Sequence, residues 1–93
     1  MHKILPIELK PMIEAFFAEH CVNIVRTFED IRQQPIRTAV NPHNPKTFIV
    51  WINHPADWSN LFALLDGIKA AKSGKKLNND WILAKQFAYN QSI

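Results

Sequence analysis

Lys46–Thr47–Phe48–Ile49–Val50–Trp51–Ile52–Asn53 is the one run of this chain dense in β-branched and aromatic residues, bounded by Pro45 on one side and His54–Pro55 on the other. Composition and flanks predict a strand of about six residues rather than a helix. Because side chains alternate along a strand, Phe48, Val50 and Ile52 share one face while Ile49 and Trp51 share the other. Both faces are apolar, so the strand is expected inside the fold with cover on both sides.

Working outward, Ile36 to Asn41 alternates Ile36, Thr38 and Val40 against Arg37, Ala39 and Asn41, the pattern of a half-buried strand. Pro42, His43, Asn44 and Pro45 carry turn chemistry, so the two strands are expected to form a hairpin with a loop of about four residues. A lone hairpin is marginal in water. Helices must pack on it, or a further strand must join its edge, drawn from Met1–Ile7 or from a second copy of the chain. The first ten residues, interrupted near Pro6 and Pro11, fit either a short helical turn or an edge strand.

Helical periodicity dominates Pro11 to Gln34, where Ile13, Phe17, Cys21, Ile24, Phe28 and Ile31 recur at steps of three or four. Pro11 suits a first helical position, Glu14 is assigned to the first turn, and Pro35 stops the helix. The competing reading ends the helix near His20 and makes Val22–Phe28 a strand, given Val22, Ile24 and Val25. Beyond the hairpin, Pro55 and Asp57 open a helix whose expected buried face is Trp58, Leu61, Leu65 and Ile68, joined by Phe62 and Leu64. Lys69 and Lys72 fall in its last turn and Gly74 just past its end. Asn78, Asn79 or Asp80 then caps a final helix through Trp81, Ile82, Leu83, Phe87 and Ala88, with Asn90–Ile93 fraying. The fold class is α+β: a long N-terminal helix, a β-hairpin, and two C-terminal helices packed on the hairpin, as a single domain over residues 1–93.

Composition narrows the function classes. At 93 residues with 47% hydrophobic content, the chain has material for one core. Cys21 is the only cysteine, so no internal disulfide or multi-cysteine metal site is expected, and a reducing cytoplasm fits best. Neither a signal peptide's apolar segment nor a membrane-length apolar run is visible, so no membrane association is expected. Residues 1–35 carry four Lys/Arg against five acids, and residues 36–93 carry seven against three. The positive field thus belongs to the C-terminal half, which favours an acidic partner.

Catalytic chemistry finds little support. His20 and Cys21 are adjacent and diverge by about 100° on a helix. Cys21 also sits on the apolar stripe, as a small core residue would. His43 and His54 bracket the central strand and cannot converge, the first reading as a turn residue and the second as a helix-entry residue. Glu29 and Asp30 read as a solvated face. With only Gly67 and Gly74 the chain has no phosphate loop, and hydrolase nucleophile motifs are missing. No enzyme, metal or cofactor is expected.

Binding is the better-supported class. Lys69, Lys72, Lys75 and Lys76 form a basic knob, explicable by the helix dipole and solubility or as contacts to phosphate or an acidic partner. A helix-turn-helix reader is disfavoured because the last helix is too apolar to face bases. Trp51, Trp58 and Trp81 read first as core residues. Only Trp51, beside Arg37 on the neighbouring strand, could serve as an exposed interaction anchor or stacking aromatic. The expected function is therefore a small non-enzymatic protein-interaction module, an adaptor or inhibitor of the kind bacteria and phages encode as accessory proteins. Its partner is another protein, and a homodimer could form through the hairpin edge. The alternative is nucleic-acid binding through Arg37, Lys46 and the Lys69, Lys72, Lys75 and Lys76 cluster.

Overall fold

The computed structural model describes residues 1–20 and 36–93, with an α+β architecture built on a three-stranded antiparallel sheet. It divides into two compact units, Met1–Asp57 and Trp58–Ile93. The expected continuation of the first helix beyond His20, the alternative strand at Val22–Phe28, and Cys21 lie outside the described residues.

In the first unit, β1 (His2–Pro6), β2 (Ile36–Val40) and β3 (Thr47–Ile52) are ordered β1-β3-β2. The run that opened the sequence reading is thus the central strand, six residues long as expected. Its register aligns His2 with Trp51 and Pro6 with Thr47 on one side, and Ile36 with Ile52 and Val40 with Phe48 on the other. Both neighbours run antiparallel to β3, so β1 and β2 are parallel to each other, in a split arrangement with β3 inserted between them. The N-terminal residues do both things the sequence allowed. After β1 pairs with β3, Ile7–Leu9 forms a 3-10 turn that leads straight into α1 (Lys10–His20).

Proline is tolerated as the second residue of α1 because the first-turn N–H groups have no intrahelical partner. Glu14 lies past the first turn, contrary to the expected dipole role, and pairs with Lys10 one turn back at 2.6 Å. Ile13, Phe16 and Phe17 are buried, Phe16 and Phe17 meeting edge to face at 5.5 Å between ring centres. On the sheet, Phe48, Val50 and Ile52 are essentially inaccessible, with Leu5 and Ile36 buried beside them on the same face. Burying side chains of this size stabilises by about 1.5–3 kcal/mol each, which makes this face the main source of cohesion in the unit.

The opposite face corrects the expectation of cover on both sides. Ile49 and Trp51 are only half-buried. Register explains why: their cross-strand partners on that face are His2, Ile4, Arg37 and Ala39, all exposed, and three of the four are too polar or too small to build a second core.

The hairpin loop also differs from the four residues expected, since residues 41–46 link the strands. Asn41 is the cause. Its buried side chain turns the chain at the end of β2, the Oδ1 accepting from the His43 N–H (3.0 Å) and the Nδ2 donating to Thr47 Oγ1 (3.1 Å). Asn44 repeats the device, its Oδ1 accepting from the Lys46 N–H at 3.1 Å.

Helix α2 (Pro55–Lys72) is entered through His54, as expected. The His54 carbonyl accepts from the Asp57 N–H (3.0 Å) and its ring Nδ1 from the Ala56 N–H (3.1 Å). At the far end Gly74 adopts φ 72°, the left-handed conformation that ends helices. Its N–H donates to the Ala71 carbonyl at 3.2 Å and the Lys75 N–H to the Ala70 carbonyl at 3.1 Å, the paired bonds of a Schellman cap.

Helix α3 (Leu83–Ser92) begins later than the asparagines suggested and reaches further into the C-terminus than the expected fraying. Asn78 closes a preceding turn instead, its Oδ1 accepting from the Asp80 N–H (2.8 Å) and its carbonyl from the Trp81 N–H (3.1 Å). No side chain caps the helix; Gln86 instead ties its first turn to the preceding chain, donating from Nε2 to the Trp81 (2.5 Å) and Asn79 (3.1 Å) carbonyls.

The closest contact of α2 with α3 is made by small residues. Gly67, Ala84 and Ala88 are buried, whereas Phe62, Ile82 and Leu83 are each more than half exposed. A Cβ added at Gly67 would stand 2.2 Å from the Lys85 carbonyl oxygen and 2.9 Å from the Ala88 Cβ, so backbone meets backbone at this crossing. Phe62 leaves the expected buried face and stacks on Trp58, 5.7 Å between centres.

Candidate functional site

Two surfaces, one in each unit, carry the residues that could recognise a partner. The first is the outer face of the sheet. Arg37 and Trp51 are direct cross-strand partners, and the guanidinium lies over the indole ring, 5.6 Å from its centre. His2 flanks Trp51 from β1, which makes a row of histidine, tryptophan and arginine across the three strands. The adjacent row is apolar: Ile4, Ile49 and Ala39, with Ile4 52% exposed at its edge. No acidic residue occupies any described position on this face.

Lys46 does not join this group. It is exposed in the hairpin loop, where its carbonyl accepts from the Ile7 N–H (2.9 Å), five residues and about 16 Å along the extended chain from Trp51. Contributions from His2 and Ile4 escaped the sequence reading. Nothing in the local pattern of β1 states its register against β3, so their place beside Trp51 is a tertiary fact.

The second surface belongs to the unit of α2 and α3. Lys69 and Lys72 are exposed in the last turn of α2, and Lys75 and Lys76 are exposed in the loop that follows. Trp81, expected in the core, is half-buried and lies within this surface. Lys85 places its Nζ over the Trp81 ring at 4.2 Å, and Tyr89 meets the same indole edge-on at 5.7 Å. The Tyr89 hydroxyl in turn donates to the Lys75 carbonyl, which ties the basic loop to α3. Spacing of four between Trp81, Lys85 and Tyr89 was the available signal for this ladder, obscured because the helix itself starts only at Leu83.

Charge separates the two units. Met1–Asp57 has six Lys/Arg and six Asp/Glu, whereas Trp58–Ile93 has five lysines and two aspartates, so the whole +3 belongs to the second. Metal chemistry finds no foothold among the described residues, which contain no group of three or more His, Cys, Asp or Glu side chains able to hold an ion. His43 and His54 stay at opposite ends of β3, and no described helix is long and apolar enough to cross a membrane. No protein-family model, curated protein or solved structure matches the chain.

Proposed function

We propose that the protein is a small binding module without chemistry of its own, an adaptor or inhibitor that engages another protein through the outer face of its sheet. The observation that carries this reading is the juxtaposition of an Arg37–Trp51 stack with an aliphatic row on the same face, in which Ile4 and Ala39 are exposed and Ile49 between them is half-buried. Tryptophan and arginine dominate binding hot spots, and here each holds the other in place before any partner arrives. The aliphatic row beside them would lose its remaining water on contact. Protein fits this face better than nucleic acid because its centre is aliphatic, whereas base stacking needs several exposed rings.

Capture from a lysate of the source cell, with and without nuclease, tests the reading when combined with face variants. One protein should persist after nuclease, be lost with Ile4→Glu or Arg37→Glu, and be retained with Lys75→Glu/Lys76→Glu. Truncating a hot-spot residue costs about 2 kcal/mol or more, a loss of roughly thirtyfold in affinity. Capture indifferent to both face substitutions, or only nuclease-sensitive material, would refute it.

A further inference from the structure

The basic surface of the second unit supports a separate site. Between Lys69 and Lys85 five lysines face a single acid, Asp80. The Schellman cap at Gly74 turns the chain out of α2, so Lys75 and Lys76 follow Lys72 directly into an exposed loop. Tyr89 fastens that loop to α3, and the same tyrosine abuts Trp81, whose ring carries the Lys85 ammonium. The Lys85 ammonium, two aromatic rings and the backbone of the lysine-bearing loop are thus joined by direct contacts.

A line of lysines alone would be explained by solubility. Aromatic rings among them alter the chemistry, because phosphates neutralise the ammonium groups while unpaired bases stack on the rings. We infer that Lys72, Lys75, Lys76 and Lys85, with Trp81 and Tyr89, form a binding site for single-stranded nucleic acid, a function distinct from the partner contact of the sheet face. In this site Lys85 occupies the ring face that a base would take. A phosphate that draws the ammonium aside exposes the indole for stacking, so backbone contact and base contact are coupled. Duplex is excluded from the stacking half of the site, since its bases are already stacked on each other.

Fluorescence anisotropy of the full chain with a labelled mixed-sequence single-stranded 20-mer tests this, with the matching duplex and polyglutamate as competing ligands. The single strand should bind with a log–log salt slope of about −2 to −3, near 0.7 for each phosphate neutralised by three or four lysines. Lys75→Glu/Lys76→Glu/Lys85→Glu should weaken binding at least thirtyfold, and Trp81→Leu roughly tenfold with little change in slope, the signature of lost stacking. Because Trp81→Leu could disturb folding and Lys85 is half-buried, Lys75→Glu/Lys76→Glu, which alters only exposed side chains, decides the matter with an expected loss of about tenfold. Arg37→Glu and Lys46→Glu should leave binding within twofold, which separates this site from the sheet face. Absence of binding at low salt, equal loss with the sheet-face variants, or duplex or polyglutamate binding as tight as the single strand would each overturn the assignment.

Discussion

The two units of this chain differ in the side chains found where their elements come closest. In Met1–Asp57 the cohesion comes from large side chains: Phe48, Val50 and Ile52 on the central strand, with Phe16, Phe17 and Ile13 buried on α1. In Trp58–Ile93 Leu61, Leu64 and Ile68 are buried as well, but the closest approach is where side chains are smallest, Gly67 against the α3 backbone and Ala88. One unit is neutral and leaves an apolar sheet face exposed, and the other is basic and leaves lysines and aromatic rings exposed. The difference teaches that a large apolar residue is evidence of burial only where the element's geometry leaves room for it. On β3 every second residue finds a core. On α2 the crossing helix comes too near for anything beyond hydrogen at position 67, and Phe62 lies at the surface, stacked on Trp58.

The contrast can be broken most forcefully at Phe48. Phe48→Ala should destabilise by about 3–5 kcal/mol in urea unfolding, because a fully buried ring on the central strand leaves a cavity. A cost under 1 kcal/mol would mean that the first unit does not depend on its large residues. Gly67→Ala sharpens the other side. Helix propensity alone predicts a gain of about 1 kcal/mol from this change, whereas collision with the Lys85 carbonyl predicts a loss of about 1–3 kcal/mol. A lower melting temperature supports the backbone crossing, and a higher one removes it.

Smaller effects follow from the connections. Asn41→Ala should cost about 1–2 kcal/mol, since it leaves the His43 N–H without its acceptor at a part-buried turn and removes the donor to the Thr47 hydroxyl, which keeps its own bond to the Asn44 carbonyl. Gly74→Ala should cost about 1 kcal/mol, and the cause can be isolated: a Cβ there meets nothing within 4 Å, so only the positive φ is strained. Asparagine at the same position, which tolerates that conformation better, should recover part of the loss. Smallest of all is the exposed Lys10–Glu14 pair, where Glu14→Gln should change stability by no more than about 0.5 kcal/mol and lose even that in high salt.

Much of the fold was legible because its signals are local. The strand at Thr47–Ile52 announced itself through β-branched residues between prolines, and Gly74 marked the end of α2 because few other residues adopt its φ. Boundaries set by competing hydrogen bonds were less legible. Three consecutive cap candidates, Asn78, Asn79 and Asp80, pointed to a helix start, yet Asn78 uses its oxygens in a turn and the helix begins after Ile82 with no side-chain cap. Of the candidate site, the Arg37–Trp51 pairing was visible because a hairpin places its own partners. His2 and Ile4 were not, because β1 reaches β3 from more than forty residues away in sequence.

By itself, then, the sequence determined the element types, the central strand and its buried alternate residues, the basic character of the second half, and the lack of familiar catalytic motifs. These follow from composition and period, which act over a few neighbouring residues. Tertiary structure alone decided that β3 has one fully buried face and one half-buried face, that Gly67 is a close contact, and that Trp81, Lys85 and Tyr89 stand together beside Lys75. Register and helix crossing bring together residues far apart in the chain, and no local pattern records which of them will meet.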